Sequence, residues 1–360
     1  MANLSDGMNY APTAAKPKPV VEAGEFKFAA AFFDHGHIYG QINGLTEAGG
    51  ELKTIFDPNP ERIESLKEKF PEAKVASDFN EILEDDEIKL VAAAAIPNLR
   101  CEIGCQTMKA GKDYFTDKCP FTSLEQLEEA KTVAEQTGQK YMVYYSERLH
   151  VESAWYVDQL IQDGAIGDIV HMEIFGPHRL SKAGRPDWFF DKAQYGGILT
   201  DIASHQFDQF LHYARCDEGK IAHARVDNRA NQDKPGLEDV GQAVLILDNG
   251  VQCFSRVNWF TPDGMRGWGD GRSFITGTKG TIEIRKYFDF GRDNSGNLIF
   301  LADQNGDQEL QVSGQVGFPF FGQLILDCLN RTENAMTQHH AFQAARLSLE
   351  AQAFADAARS

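Results

Sequence analysis

The chain has 360 residues, 42% of them hydrophobic, and its 53 Asp and Glu against 35 Lys and Arg give a formal net charge of −18 at pH 7. That length favours two domains sharing an interface, and the acidity argues against general binding to nucleic acid or anionic membranes, which recruit clustered Lys and Arg. No apolar run reaches the length of a membrane helix, and the six cysteines are scattered without a CxxC pair or a zinc spacing, so a reducing, cytoplasmic setting is expected.

Residues 1–25 include "APTAAKPKPVVEAGE", rich in Pro, Ala and Lys, and read as a mobile arm that docks on a neighbouring subunit. From Phe26 short apolar runs alternate with helical stretches. "FKFAAAFF" precedes an amphipathic segment ending near Glu47. "ELKTIF" then leads into "PNPERIESLKEKF", with Asn59 and Pro60 suited to a helix start. "LVAAAAIP", Leu90 to Pro97, is a continuous apolar run of the kind found in a parallel strand covered on both faces. "DYFTDK" and "KYMVYY" read as further strands, separated by a helix that Ser123 and Gln126 open as a capping box. This spacing predicts an α/β Rossmann-type doubly wound parallel sheet over residues 26–146. After Ser146 longer alternating strands follow, including "VGQAVLILDNGVQCFSRVNWF", in which Asp248 to Gly250 is a hairpin signal. Residues 147–360 are therefore expected to form an α+β domain on a large, mostly antiparallel sheet, with the Ala-rich C-terminal helix packing back on the first domain.

The first strand runs into "FFDHGHIYGQ", where a dinucleotide-binding turn carries three glycines and an acid some twenty residues on. Asp57 supplies the acid, but Phe32, Asp34 and His37 stand where the glycines belong. Strand, turn and helix survive, and a helix amino end attracts phosphate without glycine. His35 or His37 can neutralise Asp34 beside a pyrophosphate; alternatively Asp34 caps the helix and both histidines are ordinary turn residues. A rival reading takes His35 and His37 as a metal pair, with His178 and His205 as distant further ligands; the pair alone is insufficient, and no metal is expected.

Two other segments carry chemistry. Lys118 lies just past a strand end, where open α/β sheets bind ligands, although a lone surface lysine has the same look. In "YGGILTDIASHQFDQFLHYA", Gly196 and Gly197 precede a helix on which Asp201, His205 and Asp208 share a face. A histidine between carboxylates has its charged form favoured and its orientation set, which suits an acid/base role; the plain alternative is a polar stripe facing water.

Together "DKCP", "YGGILTDIASHQFD", "TIFDPNPERI" and "AAAAIPN" resemble the Gfo/Idh/MocA oxidoreductases, from about Phe26 to the C-terminus. The resemblance implies a Rossmann domain joined to a C-terminal α/β domain, and NAD(P)-dependent hydride transfer between nicotinamide and a secondary alcohol or ketone of a sugar, cyclitol or related polyol. Lys118 corresponds to the lysine of the family's Glu-Lys-Pro motif, here Asp117-Lys118-Cys119 with Pro120 one position later. Asp201 and His205 correspond to the acid and histidine of its second motif. His205 is then the expected base, Lys118 the holder of the developing alkoxide, and Asp201 the orienting or hydroxyl-accepting group. Asp34, His35, His37, Ile38, Asp57, Pro97, Asn98 and Lys118 are the expected cofactor contacts. Asp57 favours NAD over NADP because a carboxylate repels a 2′-phosphate.

"GPHRLSKAGRPDWFFD" is expected to supply the substrate pocket through His178, Arg179, Arg185 and Trp188, with Phe189 and Phe190 as packing residues; Arg148 is not expected to reach it. The family also implies a homodimer or homotetramer built through the C-terminal sheet. Other classes remain open at this point: a ligand sensor that kept the fold without the cofactor, a metal-assisted hydrolase or lyase using His35 and His37, and a redox-cycling glycoside-cleaving enzyme.

Overall fold

The computed structural model describes residues 18–291 and 296–358. The expected arm falls mostly on residues 1–17, outside the described residues. Six strands form the first sheet: β1 (Lys27–Ala31), β2 (Glu51–Phe56), β3 (Lys74–Val75), β4 (Ile88–Ala93), β5 (Asp113–Asp117) and β6 (Tyr141–Tyr144). Every pairing is parallel, in the order β3-β2-β1-β4-β5-β6. The strand order reverses between β1 and β4, so the two strand ends diverge there and open a crevice. β4 is buried at five of its six positions, as its apolar run requires.

Local signals act as their chemistry dictates. Asn59 accepts from the Glu61 amide at 3.0 Å and Pro60 opens the helix Pro60–Lys69. Ser123 accepts from the Gln126 amide at 3.3 Å at the head of the helix Leu124–Thr137. Asp34 caps nothing: the helix His37–Glu47 begins at Gly36 without a side-chain cap, because Asp34 points to Arg62, 2.6 Å away.

The second sheet comprises β7 (Ile169–Pro177), β8 (Gly219–Asp227), β9 (Val240–Leu247), β10 (Gln252–Asn258), β11 (Arg272–Gly277), β12 (Thr281–Arg285), β13 (Leu298–Asp303) and β14 (Gly306–Gln311). Its order is β14-β13-β12-β11-β7-β10-β9-β8, antiparallel except for the β7–β10 pair. Period-two alternation sets its two faces. Met172, Ile174, Cys253, Val257, Ile275, Ile282 and Leu301 are buried on one, while Phe175, Phe254, Phe274 and Phe300 lie half-buried on the other.

The C-terminal helix Gln338–Ala357 does pack back on the first sheet. Gln338 accepts from the Tyr141 amide at 2.7 Å, and Tyr145 donates to the Ala341 carbonyl at 3.1 Å. The same helix also packs on β8, so it touches both sheets. Among the described residues no helix is long and apolar enough to cross a membrane.

Candidate active site

The crevice between the sheets holds a cleft lined by His35, His37, Lys118, Glu147, His178, Asp201 and His205 among others. β1 delivers the histidine turn. Phe32 takes a left-handed φ of 56°, the backbone shape for which the first glycine is normally used. Its ring is accommodated against Phe56 and Phe79, with centroids 5.6 and 5.0 Å away. The turn thus keeps its path, and its amide at Phe33 donates to Asp57 at 2.5 Å.

β5 ends in Asp117, a fully buried carboxylate that the sequence reading missed. Its oxygens take the Nδ1 of His35 at 3.0 Å and of His37 at 2.8 Å, Arg100 at 3.2 Å and the Lys118 amide at 2.8 Å. Burial pushes this carboxyl up, but His37, Arg100 and the hydrogen bond from His35 outweigh it and hold it well below the usual carboxylate range. Burial drops His35 to about 3, helped by His37, so its imidazole is neutral. His35, His37 and Asp117 bring ligand atoms within 4.8 Å of one another. The third group beside the histidine pair is therefore Asp117, not His178 or His205. Arg100 already supplies this carboxylate with a buried positive charge, which disfavours a dication there.

Lys118 reaches the cleft although cysteine stands in place of the family's proline. The Lys118–Cys119 peptide is cis, and Arg100 donates to the carbonyls of both residues. Lys118 Nζ lies 2.6 Å from Asp201 Oδ1, both side chains being almost wholly buried. Gly196 and Gly197, at φ of 89° and 96°, lead into the short helix Ile198–Asp201. A Cβ on Gly197 would run into Gln352.

His205 belongs to the next helix, Ser204–Ala214, so the single helix face expected for Asp201, His205 and Asp208 is broken at Ile202 and Ala203. Asp201 serves Lys118 and not His205. Asp208 turns away: Arg148 binds both its oxygens at 2.7 Å, and His340 takes one at 2.8 Å. The expected charged histidine is overturned. Burial and the charge of Lys118 push His205 far below its ordinary value, leaving a neutral imidazole whose Nδ1 has no hydrogen-bond partner among the described residues.

The substrate wall differs in detail from expectation. His178 and Arg185 line it, with Arg185 over the rings of Phe189 at 4.3 Å and Trp259 at 5.1 Å. Arg179 lines it too, but its NH2 is committed to the carbonyls of Met265 at 2.5 Å and Gly267 at 2.7 Å, which fixes the loop carrying Trp268. Trp188 is corrected: it is buried against Phe189, 5.8 Å between centroids, and does not line the cleft. Phe189, Trp259 and Trp268 take that place. Arg148 lies buried on Asp208.

The other residues expected to contact a cofactor lie around the histidine turn and at the ends of β2 and β4. The helix His37–Glu47, in which Ile38 is buried, starts without a side-chain cap from Gly36, and its His37, Ile38 and Tyr39 amides donate to His35 Nδ1, the His35 carbonyl and the Gly36 carbonyl. Pro97 and Asn98 follow β4, and Asn98 Oδ1 is a buried acceptor without a partner. Asp57, 3% exposed, accepts from the Phe33 and Asn59 amides at the end of β2.

Comparison with known proteins agrees with this architecture. Residues 27–145 match the oxidoreductase family model with an NAD-binding Rossmann fold, and residues 155–283 match the GFO/IDH/MocA C-terminal domain. Among curated relatives, the D-xylose dehydrogenase of Paenarthrobacter nicotinovorans is 26% identical over 184 residues, 47% of each chain. An NADP-dependent scyllo-inositol 2-dehydrogenase of Bacillus subtilis is 29% identical over 152 residues, 42% of each. These matches therefore span about half or less of the relatives' length. A crystal structure from Erwinia carotovora atroseptica, provisionally classed as an oxidoreductase, superposes with TM-score 0.90 at 41% identity, covering 92% of this chain and 99% of that one. A levoglucosan dehydrogenase solved with NADH and levoglucosan shares the fold, with TM-score 0.75 at 18% identity over 93% and 98%. The chain belongs to the Gfo/Idh/MocA family of oxidoreductases.

Proposed function

We propose that this protein moves hydride between NAD(P) and a secondary alcohol or ketone of a sugar, cyclitol or related polyol. One observation carries the reading: Lys118 Nζ and Asp201 Oδ1 meet at 2.6 Å in a cleft that His205 also lines. When bound, the nicotinamide accepts or supplies the hydride. The chain's own residues handle the proton and the charge. Neutral His205 takes the hydroxyl proton as the carbinol is oxidised and returns it in reduction. Lys118 spends one N–H on Asp201 and directs its others at the oxygen, stabilising the developing alkoxide. Asp201 holds Lys118 in place, and its partnerless Oδ2 accepts a neighbouring hydroxyl. Phe189, Trp259 and Trp268 exclude water and offer apolar faces to a sugar ring.

The turn at residues 32–37, the helix behind it, Asp57, Pro97, Asn98 and Lys118 would hold the cofactor. NAD is favoured over NADP, because Asp34 and Asp57 set two carboxylates against the single guanidinium of Arg62. The enzyme works in the cytoplasm as a dimer or tetramer joined through the phenylalanine-bearing face of the second sheet. Titrating the purified protein with NAD+ and NADH by calorimetry, then assaying D-xylose, levoglucosan and scyllo-inositol for nicotinamide turnover, tests the reading. Sub-millimolar binding with turnover of a polyol is expected. No binding and no retained nucleotide refutes it, and a stoichiometric metal by elemental analysis would point instead to the metal-assisted class.

A further inference from the structure

Glu147 lines the cleft without a part in the reaction above. It sits in the short helix Ser146–Leu149 that follows β6 and is 2% exposed. Oε2 is held by Lys286 Nζ at 3.2 Å and Gln206 Nε2 at 3.0 Å. Lys286 is itself buried and donates to Gln209 at 2.7 Å. Gly176 leaves room for Gln206, since a Cβ there would lie 3.0 Å from that Nε2. One carboxylate oxygen is thus firmly fixed, while Oε1 is buried and partnerless.

Across 3.6 Å from Oε1 stands His178 Nε2. His178 donates Nδ1–H to the Gly176 carbonyl at 3.1 Å, so Nε2 carries the lone pair. Its ring is wedged against Trp268 and Trp259, with centroids 4.2 and 5.5 Å away. The gap is too wide for a direct hydrogen bond, so the polar atoms on both sides of it stay buried and unpaired, which is costly. A hydroxyl seated beside the gap satisfies both when the carboxyl carries its proton: Oε1–H donates to the hydroxyl oxygen, and the hydroxyl hydrogen goes to Nε2. An apolar group satisfies neither. Burial raises Glu147 above its usual range against the pull of Lys286 and Lys118, and burial keeps His178 neutral.

We propose that Glu147 and His178 form a second hydroxyl subsite, which binds a substrate hydroxyl other than the one oxidised at Lys118 and His205. This rests on the polyol reading above. The test compares wild type with Glu147→Leu/Lys286→Leu, a pair that avoids orphaning the buried lysine, and with His178→Phe. On whichever of D-xylose, levoglucosan and scyllo-inositol the protein turns over, KM should rise roughly tenfold or more with a smaller change in kcat. An unchanged KM in both variants overturns the subsite. If cofactor binds and no polyol is turned over, the functional reading fails, and the subsite is judged separately by ¹⁵N NMR of imidazole-labelled protein. There, His178 should show a bare Nε2 at neutral pH that moves on adding scyllo-inositol to wild type and not to the Glu147 variant. A protonated Nε2, or the same response in both proteins, overturns it.

Discussion

Asp117→Asn is the substitution that most directly probes how the turn is held. The carboxylate faces Arg100 at 3.2 Å, and Arg100 is 1% exposed. Asparagine keeps one acceptor for His37 or His35 but removes the carboxylate that balances that guanidinium. Its carbonyl partners, Ala95 at 2.7 Å and Cys119 at 2.9 Å, carry no net charge. Breaking a buried pair by removing one member costs about 3–5 kcal/mol, and the retained carbonyl bonds place this case toward about 3. That is a large fraction of the roughly 5–15 kcal/mol by which proteins of this kind are stable. Urea unfolding at neutral pH, followed by tryptophan fluorescence, should show a lower midpoint at unchanged slope. Adding Arg100→Met should recover most of the loss, since removing both charges deletes the desolvation penalty along with the attraction. A loss under about 1 kcal/mol, the scale of an exposed pair, or a double variant no better than the single one, would refute the hub.

Four further expectations follow from the same geometry. Lys118→Met and His205→Asn should each lower kcat/KM on a turned-over polyol by roughly 10²–10⁴, checked by initial rates; a loss below tenfold would remove that residue from the chemistry. Burial lowers His35 and His150 to about 3 and His212 to about 4 from 6.5. The unfolded chain takes up these protons first, so stability is full above about pH 6.5 and falls as acid is added, by up to about 1.4 kcal/mol per pH unit for each imidazole; a urea midpoint flat between pH 7 and 5 would contradict this. Gly44→Ala puts a methyl into the ring of Phe321 on the helix Pro319–Asn330 and should cost about 1–3 kcal/mol by the same urea assay. Phe254→Glu on the outer sheet face should shift the mass seen by light scattering toward the monomer, with an unchanged circular dichroism spectrum as the check on folding.

Elements were legible where a short-range pattern carries the physics. The apolar run at Leu90, the cap at Asn59 and the hairpin at Asp248 each depend on neighbours within a few residues, and each forms. Lys118, Asp201 and His205 were legible through motif spacing, and all three reach one cleft. Long-range partnerships were not. Asp117 lies one residue before Lys118, yet nothing local says that it collects His35, His37 and Arg100. Glu147 follows β6 in an unremarkable "SER", and its importance rests on Lys286, 139 positions away. Trp259 and Trp268 flank a loop whose closure depends on Arg179. The errors were of the same kind. Asp34 looks like a cap until Arg62 claims it, and the carboxylates around His205 look like its partners until Lys118 and Arg148 take them.

The glycine-free turn shows how a pattern can fail while its structural purpose is kept. Glycine at the first position supplies a left-handed backbone cheaply; a residue with a Cβ costs roughly 1–2 kcal/mol there. Phe32 adopts that φ, and edge contacts of its ring with Phe56 and Phe79 offset the strain, at about 0.5–1.5 kcal/mol for each favourable aromatic pair beyond area burial. The second position loses a small residue and gains Asp34, whose charge is carried off by Arg62. The third becomes His37, which exchanges helix-to-sheet closeness for a hydrogen bond to Asp117 across the sheet at the switch point. Each lost glycine is replaced by a side chain with a specific partner elsewhere in the first sheet's layer. The turn is therefore held by side-chain contacts where the glycine pattern relies on backbone freedom, and this ties the turn to β5, whose next residue is Lys118. Changes at Asp117 should accordingly be felt at both the histidine turn and Lys118, a coupling that a glycine loop would lack.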